Sequence, residues 1–244
     1  MKILITGASS GLGAEFARQY ATKENDLVLL ARRKERLSAL QAELFVHAKS
    51  VEIIEADVTR FSELQEKIQH LWHVDMIILN AGVSLGHKGG MPSIEAFKNL
   101  YDVNVLANHA ILEVLLPRMQ AQKSGKIVFI SSLASLISMP SSKVYSSSKR
   151  ALNAYAEGIR YKYAPDNIKV LTLLPGFIKS ELTDKNEFTM PFLLPTAKGV
   201  EIMKKAIEKN RVFYPFPLRF YLIIIIVKML PNFLREKIIN SLYN

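Results

Sequence analysis

Short apolar runs without polar alternation recur along this chain, and helically spaced stretches separate them. Residues 2–6, 27–30, 51–56, 76–79, 126–130 and 169–174 read as strands, with 212–214 a seventh candidate. Helices are expected over 11–21, 33–44, 62–72, 144–163 and 196–210, with one or two more inside 93–122. Strands that lack a period of two are buried on both faces, which requires helices above and below a parallel sheet. Right-handed crossovers then give an α/β fold with a doubly wound, Rossmann-like sheet. No repeat, low-complexity tract or linker divides it. Residues 1–214 are therefore expected to form one domain, and 215–244 an apolar and basic helical extension. Such sheets bind ligands at the carboxyl ends of their strands.

Composition narrows the chemistry. The 244 residues are 49% hydrophobic, enough for a large core. Cysteine is absent, which excludes disulfides, thiolate metal sites and a cysteine nucleophile; no metal is expected. The net charge of +10 is spread along the chain apart from one cluster, Arg32, Arg33, Lys34 and Arg36, and no nucleic-acid partner is expected. Only Ile3, Leu4 and Ile5 separate Lys2 from Thr6-Gly7, too few for a secretory h-region. A cytoplasmic location is expected, with peripheral membrane attachment through the tail.

The first strand runs into Thr6-Gly7-Ala8-Ser9-Ser10-Gly11-Leu12-Gly13, which opens the first helix. Gly7 suits a tight turn, Gly11 lets backbone approach a pyrophosphate, and Gly13 lets helix and sheet pack closely. An anion there, beside Ser9, Ser10 and Leu12, meets the free N–H groups of a helix N-terminus. The spacing is not that of a P-loop, since Leu12-Gly13 stand where glycine and lysine are required. The second strand ends in Ala31-Arg32-Arg33, where an NAD site would place an acid. Arg32, with Arg33 beside it, suits a 2′-phosphate, so NADP(H) is expected in preference to NAD(H). Asp57, followed by Val58, either accepts from an adenine amino group or caps the next helix. Asn80-Ala81-Gly82 either admits cofactor closely or braces the sheet.

Tyr145 and Lys149 lie four apart on one helix face. An ammonium beside a phenol favours phenolate, which brings tyrosine toward acid/base work near neutral pH. A chain with nine tyrosines carries about one such pair by accident. Ser132, after the fifth strand, and Asn104, in a helical segment, are equally ordinary alone. Joint placement with the glycine turn decides.

The ordered set Thr6-Gly7-x-x-x-Gly11-x-Gly13, Asp57, Asn80-Ala81-Gly82, Asn104, Ser132, Tyr145-x-x-x-Lys149 and Pro175-Gly176 resembles the short-chain dehydrogenase/reductase family. The match runs from residue 3 to about 180, with thirteen residues from Ser132 to Tyr145. The resemblance implies that Tyr145 is general acid in reduction and base in oxidation. It implies that Lys149 tunes Tyr145 and holds the nicotinamide ribose, that Ser132 bonds the substrate oxygen, and that Asn104 holds a relay water. Pro175, Gly176 and Ile178 would lie along the nicotinamide. Ser180, where the family usually has threonine, would bond its carboxamide. Hydride would pass between the nicotinamide and a carbonyl carbon.

Phe177, Leu182, Phe188, Met190, Phe192, Leu193 and Leu194 are expected over the substrate, with Leu136, Ile137 and Met139 lining the same pocket. Either they admit an apolar carbonyl or alcohol, or they only pack the lid. The chain departs from the family after Tyr214, so the family's usual tail contacts are not expected; a homo-oligomer stays an allowed partner state. Residues 221–227 are apolar all round, flanked by Arg219, Lys228, Arg235 and Lys237. Pro217 is expected to start this helix and Pro231 to interrupt it before a second helix over 232–242. The run is too short for a span, which needs about 20 residues. It suits a membrane interface, or else burial against the sheet or a second subunit. Two other functions share the motifs: a catalytically silent NADPH-binding regulator and a membrane-surface interaction protein.

Overall fold

The structure, a computed structural model, describes residues 1–86, 90–184 and 189–243, with side chains as far as Ser241. The strands are β1 (Lys2–Thr6), β2 (Asp26–Ala31), β3 (Ser50–Glu55), β4 (Met76–Leu79), β5 (Gly125–Ile130), β6 (Ile168–Pro175) and β7 (Phe213–Phe216). The α-helices are α1 (Gly11–Tyr20), α2 (Lys34–Leu44), α3 (Phe61–Ile68), α4 (Ile94–Tyr101), α5 (Ala107–Gln122), α6 (Lys143–Tyr163), α7 (Thr196–Glu208), α8 (Leu218–Met229) and α9 (Asn232–Tyr243). The sheet order is β3-β2-β1-β4-β5-β6-β7, and every adjacent pair is parallel. The chain winds outward from β1 to β3, returns to β4 beside β1, and winds the other way. That reversal leaves a crevice at the carboxyl ends of β1 and β4.

The strands lack alternation because both faces are covered. Ile3, Ile5, Leu27 and Leu29 pack on one side with Phe16 of α1, Leu37 of α2 and Met203 of α7. Leu4, Val28, Leu30 and Ile77 pack on the other with Leu64 of α3, Leu115 of α5 and Leu152 of α6. Successive strand residues point to opposite faces, so each meets its own apolar layer.

Several element boundaries differ from the sequence reading by a residue or more, and three features stand out. Helix α3 stops at Ile68, because Leu71 and Val74 turn inward to the core and leave Trp72 outside under the Arg118 guanidinium. The 93–122 region is two helices joined by a π-helical turn, Asp102–Leu106. Strand β7 runs to Phe216, two residues past the expected domain limit, and the Phe216 side chain is buried.

The extension is helical, with Pro217 immediately before α8 and Pro231 between α8 and α9. Ile224 of α8 is buried against Leu133 and Leu174, with Phe220 and Tyr221 beside it. Leu222, Ile223, Ile226 and Met229 remain exposed. The helix is thus docked along one face and apolar along the bare one. No α8 or α9 helix is long and apolar enough to cross a membrane, nor is any other among the described residues. The Leu242 side chain lies outside the described residues.

Candidate active site

The glycine turn is built around Thr6, at the end of β1. Its hydroxyl accepts from the backbone N–H of Asn80 and of Ala81, each at 3.0 Å, and Asn80 Nδ2 donates back to the Thr6 carbonyl at 3.0 Å. The exits of β1 and β4 are thereby bound into one unit. Gly7 and Gly11 have φ of 66° and 52°, a region that only glycine enters freely. A Cβ on Gly13 would lie 2.2 Å from the Gly7 carbonyl oxygen and 2.8 Å from Asn80 Nδ2. Gly13→Ala should therefore part α1 from the turn and destabilise the fold by about 1–3 kcal/mol, measured by denaturant unfolding. An unchanged midpoint would mean the turn is not as tight as described.

The same crevice fits a dinucleotide. No side chain caps the first turn of α1, so its N–H groups face the crevice unclaimed by a cap. Gly82 is exposed, and a Cβ there would lie 3.5 Å from Lys149 Nζ. The Asn80-Ala81-Gly82 turn thus stands between the glycine turn and the lysine. Arg33 donates through Nε and Nη2 to the Ser9 hydroxyl, both at 3.1 Å, and through Nη2 to the Ser10 hydroxyl at 2.6 Å. Arg32 is more exposed, with Nη1 3.7 Å from Asp57 Oδ2. Asp57 spends Oδ1 on the N–H and hydroxyl of Thr59, while α3 starts only after Arg60. It therefore closes a turn rather than capping that helix, and Val58 beside it is buried.

Tyr145 and Lys149 project from α6 toward the end of β5. Tyr145 lines a cavity of about 320 Å³ with Ser84, Leu85, Met91, Pro92 and Val144, and Ser132, which follows β5, is near enough to influence the phenol. Lys149 Nζ donates to the Ile130 carbonyl at 2.9 Å and sits 5.8 Å from the Tyr145 ring centre. Burial pushes the phenol up to about 12, opposed by Ser132, and pulls the ammonium down to about 8. The direction is opposite to the lowering by Lys149 expected from the sequence. Desolvation outweighs the pairing, because the ammonium is directed at a carbonyl rather than the phenol oxygen.

Asn104 lies in the π-helical turn and is fully buried. Its Oδ1 accepts from Val83 N–H at 2.8 Å, and its Nδ2 donates to the Val83 carbonyl and to Ser148 Oγ, both at 3.0 Å. The side chain is spent on tying this turn to the β4 exit and to α6. Its backbone carbonyl accepts from Asn108 Nδ2 at 2.8 Å and, with two lone pairs, can still accept from a water.

On the far side of the crevice, β6 ends at Pro175 and Gly176 follows it. A Cβ on Gly176 would lie 3.1 Å from Phe220 Cδ1 of α8. Ile178 is buried, and Ser180 backs onto the glycine turn, its Cβ 3.3 Å from where a Cβ on Gly11 would stand. Thr183 Oγ1 accepts from Ser180 N–H and donates to the Ile178 carbonyl, both at 2.9 Å, fixing this segment. Phe177 and Phe192 each pack on Phe220, with ring centres 5.8 and 5.7 Å apart. Phe188 lies outside the described residues. Leu136 and Ile137 pack beneath α8, not on the cavity beside Tyr145. The expected lining is therefore divided. Residues 84–86, 90–92 and 141–145 line the cavity, while Phe177 and Phe192 share an apolar roof with the tail.

Sequence reasoning missed the supports. Ser131 donates to Asn153 Oδ1 at 2.5 Å, Asn153 Nδ2 donates to Ser135 Oγ at 2.8 Å, and Ser135 Oγ donates to the Ser132 carbonyl at 2.6 Å. This network sets the backbone that carries Ser132. The paired serines at 131 and 132 were the only local hint. Thr6 and Ser148 gave none, because their partners are distant in sequence.

Comparison with known proteins identifies the family. The family model for short chain dehydrogenase matches residues 1–190. An uncharacterized oxidoreductase of Myxococcus xanthus is 35% identical over 233 residues, covering 94% of this chain and 92% of its own. An 11-beta-hydroxysteroid dehydrogenase-like 2 protein of Arabidopsis thaliana is 36% identical over 217 residues, 85% of this chain and 69% of its own. A short-chain dehydrogenase from Sphingobium yanoikuyae, solved in complex with NADPH, superposes with a TM-score of 0.83 at 28% identity, covering 89% of this chain and 88% of that one. The chain belongs to the short-chain dehydrogenase family. It is an oxidoreductase acting on CH–OH or C=O groups with a nicotinamide cofactor.

Proposed function

We propose that this enzyme is an NADP(H)-dependent carbonyl reductase and alcohol dehydrogenase for apolar substrates. The observation that carries the cofactor choice is the Arg33–Ser9–Ser10 cluster at the end of β2, with Arg32 adjacent. Guanidinium and hydroxyl donors together match the acceptor oxygens of a 2′-phosphate. Gly7, Gly11, Leu12 and Gly13 would hold the pyrophosphate, Asp57 and Val58 the adenine side, and Ala81, Gly82, Ile178 and Ser180 the nicotinamide side. The bound nicotinamide supplies or takes the hydride.

The protein's own part is proton transfer and orientation. A substrate oxygen held between the hydroxyls of Ser132 and Tyr145 receives the Tyr145 proton as charge develops on it. Lys149 holds the ribose and feeds Tyr145 through a water at the Asn104 carbonyl. Leu85, Met91, Pro92 and Val144 around the cavity favour an apolar substrate. Titration of the native protein with NADPH and NADH tests this reading, followed by turnover on apolar ketones and aldehydes. Equal affinity for the two cofactors would overturn the phosphate site, and turnover restricted to polar substrates would overturn the apolar pocket.

A second reading concerns the tail: its bare face attaches to an anionic membrane surface. Leu222, Ile226 and Met229 are exposed on α8, as is Phe233 on α9, with Arg219, Lys228 and Lys237 exposed nearby. Apolar side chains with flanking cations match an interface whose headgroups are anionic. Removing the tail would not test this cleanly, because Ile224 is part of the core. Ile226→Asn with Met229→Asn should instead weaken sedimentation with phosphatidylserine vesicles and leave NADPH affinity unchanged. A native protein that ignores the vesicles, or that forms a dimer which the double substitution dissolves, would reject membrane attachment.

A further inference from the structure

Every basic side chain of the 32–36 cluster has an acidic neighbour, but one of these comes from across the crevice. Arg32 faces Asp57 at 3.7 Å and Lys34 faces Glu55 at 3.8 Å, both from the adjoining β3 end. Arg33 and Arg36 both donate to Glu181, which follows β6 on the opposite side. The Arg33 Nη1 to Glu181 Oε2 distance is 2.9 Å; Arg36 Nη1 bonds the other carboxylate oxygen. A carboxylate gripped by two guanidiniums, next to the Ser9 and Ser10 hydroxyls, is bound as a phosphate would be. These bonds, with the guanidiniums directed at it, also hold the Glu181 carboxyl down at about 2. The residue before it, Ser180, lies against the glycine turn. Glu181 thus pins the β6 exit segment across the mouth of the dinucleotide crevice.

We infer that Glu181 is a cofactor-specificity residue, whose carboxylate occupies the anion position of Arg33 and Arg36 until a ligand bearing a 2′-phosphate displaces it. This rests on the phosphate site proposed above. The exchange is favourable because the contact is exposed: the Arg33, Arg36 and Glu181 side chains keep 41%, 50% and 52% of their surface open. Exposed ion pairs hold weakly, because water screens them and both side chains lose freedom in pairing. A phosphate brings about −1.5 to −2 charge and three acceptor oxygens, against one charge and two oxygens. A cofactor without the 2′-phosphate has nothing to offer the two arginines and leaves the clasp closed. Displacement frees the 180–184 segment from the α2 side when the correct cofactor arrives.

The test compares native protein with Glu181→Gln, which keeps size and removes charge. Calorimetric titration would use adenosine 2′,5′-bisphosphate, AMP, NADPH and NADH. In the variant, the Kd for the bisphosphate and for NADPH should fall by roughly two- to tenfold, with AMP and NADH unchanged. Unchanged or weaker bisphosphate binding, or equal tightening of AMP, overturns the inference. The two readings fail differently. Native protein that binds AMP as tightly as the bisphosphate removes the phosphate site itself, whereas a native preference for the bisphosphate that Glu181→Gln does not alter removes only the clasp. Glu181→Ala repeats the measurement, with the unfolding midpoint as a check that either variant is folded.

Discussion

Tyr145→Phe should fold, bind NADPH with native affinity and lose about 10²–10⁴-fold in turnover. The substitution removes one hydroxyl, beside Ser132, from a residue that lines the cavity. The aromatic ring and its contact with Lys149 stay. Loss of kcat with little change in cofactor Kd therefore identifies the hydroxyl as the proton donor. The pH profile adds a signature. Burial pushes the phenol up to about 12, so the acid form predominates throughout the neutral range. Reduction needs that form and is not limited by it, whereas oxidation needs the phenolate. With kcat/KM reporting the free enzyme, alcohol oxidation should rise from about pH 7 to about pH 10, and reduction should not. Near-native turnover by Tyr145→Phe, or an oxidation profile flat across that range, would reject Tyr145 as the acid/base.

Charge reversal at the end of β2 should have the second-largest effect. Arg33→Asp removes the donor to the Ser9 and Ser10 hydroxyls and places a carboxylate where the phosphate is proposed to sit. Losing one charge-assisted hydrogen bond is worth about 1.5–3 kcal/mol, roughly ten- to hundredfold in NADPH affinity. NADH binding should change little. Arg32→Asp should act in the same direction but less strongly, since Arg32 is the more exposed of the two and stands beside Asp57. If both variants weaken NADPH and NADH alike, the cluster serves the adenosine or the fold and not the 2′-phosphate. If Arg32→Asp costs more than Arg33→Asp, Arg32 is the centre of the site.

The sequence by itself determined the class of fold, because that information is local and periodic. Short apolar runs without alternation, bounded by turn signals and separated by amphipathic helices, read as strands covered on both faces, and Leu4 and Ile5 duly meet different layers. The glycine turn was legible for a similar reason: 7, 11 and 13 are positions where a Cβ is strained or obstructed within the motif's own vicinity. Tyr145 and Lys149 shared a face by helical spacing alone. What the tertiary structure decided was which side chains compete for one another. That Lys149 faces the Ile130 carbonyl, so that burial governs both pKa values, depends on the packing of α6 over β5. That Thr6 locks the β4 exit depends on two strands which are neighbours only in the folded sheet, and that Glu181 reaches Arg33 and Arg36 depends on loops from β6 and β2 meeting across the crevice. The tail shows the same division. Its apolar character was plain in residues 221–227, but a helix apolar all round carries no sign of which face is covered. Docking on Leu133 and Leu174 chose Ile224 for the core and left Ile226 outside. Periodicity fixes what a segment must bury, whereas long-range contact alone fixes what it is buried against.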